Sequence, residues 1–408
     1  MKVCVLGAGI VGLACAYELD RQGARVTVVD MATSGAGASA SNGAQLSYSY
    51  VQPLADASIW GQLPKLLLSS DSPLKIRPQW DVAQWRWGLA FMQACNARAS
   101  YRTTAKLLHL AALSRTGLDR MRAAHQPDCD FSSTGKLVLY PNAKSFAAAQ
   151  KQMELQRALG SQQSALNAQE TCELEPALAT YRQSIAGAIY TASECAVDCL
   201  KLCQELERVL RARGVQFLLG NAVTALETRQ QRIVAARTAT HTIEADQFVL
   251  ALGSESPRMA RSVGLRLPVY PIKGYSMTLD ISQVPAHAAP RLNVTDIASK
   301  VVFARIGSRL RVAGMAELVG HDRVLRPQAI ESLQRSTRAL FPALNAGNAE
   351  PPWTGLRPAT PTGLPIVGVQ AGGPHNLVVN TGHGALGLTL AFGTAQQVAQ
   401  QLLKTPVA

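Results

Sequence analysis

The chain has long stretches with little or no charge. From Pro358 to Leu403 there is no Asp, Glu, Lys or Arg in 46 residues. A membrane span needs about 20 predominantly apolar residues in a row. Here Asn376, Asn380, His383, Gln396, Gln397 and several Pro and Gly interrupt every window, so a span is excluded. The expectation is a segment buried around a cofactor. Arg357 is the last charge before this stretch, and a cation at the rim of a buried neutral region calls for an anionic partner.

Other absences narrow the class. Eight cysteines are scattered without a paired framework, which argues against a disulfide-built secreted domain and for reduced thiols in a cytosolic setting. Cys195, Cys199 and Cys203 stand at i, i+4 and i+8, but with no fourth ligand nearby they read as small core residues, and no metal is expected. Met1-Lys2 runs straight into an apolar strand, leaving no room for a secretory signal peptide. Repeats and low-complexity tracts are missing, and a hydrophobic content of 47% against 16% charge excludes a disordered chain. Acids are few, 27 against 40 Lys and Arg, for a formal charge of +13. Basic residues gather at Arg98, Arg102, Lys106, Arg115, Arg120 and Arg122 and again at Arg208, Arg211 and Arg213. Solvated helix faces account for them; attraction to anionic lipid or ligands is the sharper reading, and no module for nucleic acid accompanies them.

What is present begins at once. Residues 3–30 form a strand (Val3 to Leu6), the run Gly7-Ala-Gly9-Ile10-Val11-Gly12, an apolar-periodic helix, and a second strand closed by Asp30. Gly7 permits the tight turn, Gly9 lets backbone approach a pyrophosphate, and Gly12 lets helix and strand pack closely. The helix N-terminus offers its positive dipole end to phosphate, and an acid at position 30 accepts from a ribose hydroxyl. This is a dinucleotide site; no second glycine fingerprint leaves room for a separate nicotinamide cofactor.

At 408 residues two domains are expected. Segment 53–100 is rich in Pro and Trp (Trp60, Trp80, Trp85, Trp87) and reads as irregular chain leading into helices over 101–125 and 146–159. Short strands at 136–140, 188–191, 269–279, 301–306 and 310–313, with a hairpin turn at Arg305 to Arg309, point to antiparallel pairing. The cofactor style returns in a helix over 198–213, strands over 214–220 and 246–252 with a turn at Gly253, a strand over 376–380, and a helix over 388–403. The predicted fold class is α/β: a discontinuous Rossmann-like domain (1–55, 195–258 and 351–408) with an inserted α+β domain (56–194 and 259–350) on a largely antiparallel sheet.

Several runs carry a resemblance that covers nearly the whole chain. Ser39-Ala-Ser41-Asn42-Gly43-Ala-Gln45, Pro271-Ile-Lys273-Gly-Tyr275-Ser276, Arg311 to Glu317, Trp353 to Gly368, and Asn380-Thr-Gly382-His383-Gly384-Ala-Leu386-Gly387 resemble the D-amino-acid oxidase superfamily of flavoproteins, most closely the bacterial D-amino-acid dehydrogenases. Little is similar in 53–180. The resemblance implies FAD, held by Gly7, Gly9, Ile10, Val11, Gly12 and Asp30, by Ser39, Ser41, Asn42 and Gly43 along the pyrophosphate and ring, by backbone at Val223 and Gly253, and by Gly382, His383, Gly384 and Leu386 at the flavin N1/C2=O edge. It implies that Arg357 binds the substrate carboxylate, for which a planar fork suits, with an ion pair to a protein acid as the alternative. Lys273 near flavin N5 and Tyr275 as a substrate-facing hydroxyl are the further candidates, against a surface lysine.

The implied reaction is oxidative deamination of D-amino acids to 2-oxo acids and ammonia, by hydride transfer from the α-carbon to flavin N5. Electrons pass to a quinone or other acceptor, which implies peripheral contact with the cytoplasmic face of the inner membrane. The alternatives are a glycine- or sarcosine-type oxidase using oxygen, a D-hydroxyproline or D-proline dehydrogenase, and a non-catalytic FAD-binding subunit.

Overall fold

The computed structural model describes residues 1–51, 53, 55–56, 74–158, 160–344 and 349–404. Trp60 and part of the expected boundary near residue 55 lie outside the described residues.

Two sheets organise the molecule. The first has six strands in the order Ile366–Val369, Leu377–Thr381, Gln247–Leu250, Lys2–Leu6, Arg25–Val29, Gln216–Leu218, parallel throughout except at the Ile366–Val369 edge. Its inner strands are short β-branched runs buried on both faces, as crossover connections require. Helices Ile10–Arg21, Cys199–Ala212 and Gly387–Lys404 share one core with the sheet, and helix Ser256–Ser262 with a small three-stranded sheet covers the other face. The strands that follow Lys2–Leu6 in sequence lie on both sides of it, so the carboxyl end of that strand is a topological switch point, where such sheets bind ligands.

The second sheet runs Trp353–Ala359, Tyr270–Asp280, Arg309–Leu318, Val301–Ile306, Asn293–Asp296, Lys136–Tyr140, Gly187–Thr191, Ser164–Asn167, with Leu74–Ile76 paired to Arg309–Leu318. Most pairs are antiparallel, and the expected hairpin turns at Gly307, whose φ is +60°. Alternation sorts its side chains. Leu137, Leu139, Tyr275, Met277, Leu279, Val301, Phe303, Leu310 and Val312 face helix Pro327–Leu340 and a 3₁₀ segment, Pro176–Ser184, in a closed core. Residues of opposite parity face the first sheet, and that inner face carries the site.

The α/β class with an inserted, largely antiparallel sheet is therefore the observed architecture. Two elements cross the division drawn from sequence. Helix Ala97–His125 lies in the middle of the inserted segment, yet Leu107, Leu110, Ala111, Leu118 and Met121 pack in the core of the Rossmann-like half. The crossing is close because glycines meet it: a Cβ on Gly393 would lie 2.3 Å from the Leu110 carbonyl oxygen, and one on Gly117 2.9 Å from Phe392 Cβ. Strand Trp353–Ala359 belongs to the last cofactor segment but pairs with Tyr270–Asp280 in the second sheet. No described helix is long and apolar enough to cross a membrane.

Candidate active site

The glycine loop has the geometry its spacing requires. Gly7 has φ +113°, and a Cβ there would lie 2.5 Å from the Ala251 carbonyl oxygen. A Cβ on Gly12 would lie 1.9 Å from the Gly7 carbonyl oxygen, so helix and turn touch backbone to backbone. Gly9 differs: its nearest neighbour would be Ser39 Oγ at 3.6 Å, leaving open space in front of the helix. Gly9 is also the N-cap of helix Ile10–Arg21 and supplies no side chain, so the first-turn N–H groups face that space with the dipole behind them. Ser39 Oγ accepts from the Ile10 N–H at 3.1 Å. The Asp30 carboxylate sits at the end of the next strand, oriented by the Ala8 N–H at 2.7 Å and the Ala32 N–H at 2.9 Å. Its backbone carbonyl accepts from Asn221 at 2.8 Å, which brings the turn before Val223 to the same spot. Val223 buries its side chain in the core with Leu6 and Val29, so backbone is what that turn offers. Donors at a helix end, space above Gly9 and an oriented acid fit the adenosine diphosphate half of FAD.

The opposite wall comes from the chain's end. Gly253 has φ +55°, and its carbonyl oxygen accepts from Thr381 Oγ1 at 3.1 Å. Gly382 and Gly384 have φ +83° and +56°. An isolated bridge between Ala359 and His383 ties this turn to the strand bearing Arg357. The 3₁₀ turn Gly384–Leu386, which leads into helix Gly387–Lys404, has no side-chain cap, and its Leu386 N–H donates to the His383 carbonyl at 3.0 Å. The His383 ring is turned inward: it is 2% exposed and lies 3.1 Å from Thr394 Oγ1 on the following helix.

Burial pushes the His383 pKa down to about 4 from the ordinary 6.5. The folded state therefore holds this ring neutral while the unfolded chain protonates it near pH 6.5. The contribution is fully present above that pH and is lost as pH falls toward 4, about 3 kcal/mol in all. Melting temperature measured from pH 7 down to pH 4 should fall steeply in the native protein and less steeply in His383→Gln.

The loop 41–44 is pressed onto the inner sheet face. Ser276 Oγ donates to the Ser41 carbonyl at 2.7 Å, and buried Arg311 donates to the Asn42 carbonyl at 3.0 Å and to Thr278 Oγ1 at 2.9 Å. Asn42 Oδ1 accepts from the Ala44 N–H at 2.9 Å, closing a turn in which Ala44 has φ +58°. The polar side chains of Ser39 and Asn42 thus shape the loop, and a Cβ on Gly43 would press on Val302 at 3.2 Å.

Arg357 lies opposite Ile272 in the ladder, hence on this inner face. Its guanidinium covers Gly274, where a Cβ would fall 2.2 Å from Nη2. Nη1 donates to the Met315 carbonyl at 2.8 Å. That carbonyl is available because the Arg309–Leu318 strand is irregular there: pairing shifts register between Lys273 and Tyr275, and Met315 has φ +63°. No carboxylate lies within 4.0 Å of Arg357 among the described residues. Burial lowers its pKa to about 10. Among the described residues this arginine makes no ion pair with a protein acid; its half-buried fork, with one nitrogen engaged, has the chemistry to take an external carboxylate.

Lys273 and Tyr275 are corrected by the same alternation. Both point to the opposite face from Arg357 and Ser276, away from the loop 41–44. The Tyr275 hydroxyl donates to Glu317 Oε2 at 2.8 Å, and Lys273 Nζ donates to the Val324 carbonyl with Asp322 3.6 Å away. Lys273 is also fully buried, so the surface alternative fails too. Tyr275→Phe and Lys273→Met should lower the melting temperature while changing kcat and KM by less than about threefold, since a lost interior hydrogen bond costs about 1–3 kcal/mol of stability and both side chains lie on the face opposite Arg357.

Residues that sequence reasoning missed complete the surroundings. Trp87 Nε1 donates to the Ala359 carbonyl at 2.8 Å, two residues from Arg357. Lys136, on the inner face, donates to Ser47 Oγ at 2.9 Å and lies 4.4 Å from the centre of the Tyr50 ring, with its pKa pushed by burial down to about 8. Glu194 accepts from the Tyr48 and Ser49 N–H groups at 2.8 and 2.6 Å and fixes that segment. Lone charged residues in apolar surroundings, Lys136 in KLVLY and Glu194 in TASECAV, were the only available signal.

The model of the DAO family, FAD dependent oxidoreductase, matches residues 2–401. D-amino acid dehydrogenase 2 of Ralstonia nicotianae is 44% identical over 414 residues, covering 99% of this chain and 97% of that protein. D-amino acid dehydrogenase 2 of Pseudomonas aeruginosa is 42% identical, covering 99% and 95%. Among solved structures, glycine oxidase from Geobacillus kaustophilus superposes with a TM-score of 0.77 at 22% identity over 100% of this chain and 96% of that one. L-proline dehydrogenase from P. horikoshii gives 0.75 at 16% identity over 100% and 95%. At such identities these two share the fold.

Proposed function

The chain belongs to the DAO family of FAD-dependent oxidoreductases, and from that premise we propose that it oxidatively deaminates D-amino acids and passes the electrons to a membrane quinone. The observation that carries the reading is Arg357: a half-buried guanidinium with no protein carboxylate at bonding distance among the described residues, held over Gly274 on the face turned to the cofactor walls. The dehydrogenase relatives, matched over nearly their whole length, favour D-amino acids over the glycine- and proline-type alternatives.

Arg357 takes the substrate carboxylate through its fork, and the Met315 carbonyl keeps the guanidinium from swinging away. Gly7, Gly9, Ile10, Val11, Gly12, Asp30, Ser39 and backbone at Val223 would hold the adenosine diphosphate end of FAD; Ser41, Asn42, Gly43, Gly253, Gly382, His383, Gly384 and Leu386 would line the rest. Bound FAD supplies the two-electron hydride acceptor. As the α C–H bond breaks, the amine lone pair forms the C=N bond, and water then adds and releases ammonia and the 2-oxo acid. No protein base is required if the amine enters deprotonated. The uncapped start of the Gly384–Leu386 turn would favour the negative charge that accumulates on reduction. Neither Lys273 nor Tyr275 has a role in these steps.

A quinone acceptor places the work at the inner face of the cytoplasmic membrane, as a peripheral protein. The test is turnover on a panel of D-amino acids, D-proline, D-hydroxyproline, glycine and sarcosine, followed by reduction of a short-chain quinone and, separately, by peroxide. Quinone reduction with D-alanine and little peroxide is expected; rapid peroxide formation from glycine or sarcosine would overturn the reading.

A further inference from the structure

Helix Val82–Ala94 is apolar on two sides. Gln84 and Trp87 are buried against the second sheet, and Ala94 packs with Ala55 and Cys95. The other side carries Val82, Trp85, Leu89 and Met92, spaced i, i+3, i+7 and i+10, and these are 64%, 56%, 58% and 41% exposed. Trp80, just before the helix, is fully exposed, and Ile76 and Tyr101, on the elements before and after it, are 40% and 53% exposed. Such a contiguous stripe on one face of a protein marks an interaction surface.

Its charge says with what. Between residues 74 and 118 there are seven Lys and Arg and a single acid, Asp81. That acid is engaged, capping the helix at the Ala83 N–H and accepting from the Tyr270 hydroxyl at 2.9 Å. Arg77, Arg86, Arg98 and Arg102 are exposed and form no ion pair among the described residues. A tryptophan-bearing apolar stripe flanked along the chain by exposed arginines is the chemistry of an interfacial helix on anionic lipid. A second copy of the chain would set the same cations against each other and is disfavoured.

We infer that this stripe, with Trp80 and the flanking arginines, docks on an anionic bilayer. The inference rests on the quinone reading and gives it a geometry. The inner side of the helix is bolted to the site: Trp87 stacks on Phe91 at 5.2 Å, packs with Tyr270, Ile272 and Ala359, and donates to the Ala359 carbonyl, two residues from Arg357. One helix, about 10–12 Å across, then separates the strand of the substrate arginine from lipid. A lipid-soluble acceptor approaches from the side on which the protein sits.

The test is flotation of the FAD-loaded protein with vesicles of phosphatidylglycerol or of phosphatidylcholine at low salt. Binding to phosphatidylglycerol only is expected, weakened by salt near 0.5 M, where the screening length falls to about 4 Å. Trp85→Glu/Leu89→Glu, both at exposed positions, should lower the bound fraction at least about tenfold. Its melting temperature and its dye-linked turnover in solution should stay unchanged. Equal binding to both lipids, binding to neither, unchanged binding of the double variant, or a concentration-dependent dimer abolished by Leu89→Glu would each overturn the inference. Loss of D-amino-acid turnover with vesicle binding intact would instead count against the proposed reaction and leave the docking face standing.

Discussion

Replacing Arg357 with methionine should lower kcat/KM for D-alanine by about a thousandfold, because a buried charge pair broken on one side costs about 3–5 kcal/mol. Arg357→Lys, which keeps the charge and loses the fork, should retain more, with the loss mainly in KM. Stability should move the other way. The guanidinium is half-buried and pairs with no acid among the described residues, and burial lowers its pKa to about 10. Methionine fills similar space without that cost, so the variant should melt at the same temperature as the native protein or higher. Steady-state kinetics and calorimetry on the same preparations check both halves. A variant that loses stability in step with activity would mark Arg357 as a structural residue.

The glycines of the first loop should separate folding from cofactor binding. Gly12→Ala puts a Cβ 1.9 Å from the Gly7 carbonyl oxygen, and neither backbone has anywhere to go. Little folded, flavin-loaded protein should be recovered, since forced overpacking of this kind costs about 3 kcal/mol or more. Gly9→Ala meets only Ser39 Oγ at 3.6 Å, an ordinary contact. That variant should fold with an unchanged circular dichroism spectrum and bind FAD about ten- to a hundredfold more weakly, because the methyl group occupies the space a pyrophosphate enters. Flavin content by visible absorbance, with far-ultraviolet dichroism, distinguishes the two. Equal effects on folding would refute the assignment of that space to the cofactor.

The sequence made some parts of this structure plain and hid others for identifiable reasons. The opening unit was legible because glycine spacing, strand and acid constrain one another locally. Arg357 stood out because 46 uncharged residues follow it. The faces of Tyr270–Asp280 were hidden. Ten of its eleven residues are buried, so no alternation of polar and apolar marks which side Lys273 and Tyr275 take. The conformation of Met315, which supplies the carbonyl for Arg357, is a non-glycine in the left-handed region with no local signature beyond the glycine before it. His383 turned inward because its ring hydrogen-bonds with Thr394, eleven residues on, a contact made only once the helix forms. The apolar stripe of Ala97–His125 announced a packed helix but not which sheet it would join. Helix Val82–Ala94 was masked by a segment that read as irregular, and its second apolar side became visible only when the first was seen to be occupied.

The most direct test of the account is anaerobic. The FAD-loaded protein is mixed with D-alanine or L-alanine in the absence of any acceptor, and the visible flavin band is followed alongside pyruvate. The account predicts that D-alanine bleaches the band with one pyruvate formed per flavin, that L-alanine does not, and that Arg357→Met abolishes the response. Bleaching by both enantiomers alike, or a band that no D-amino acid reduces, would contradict it.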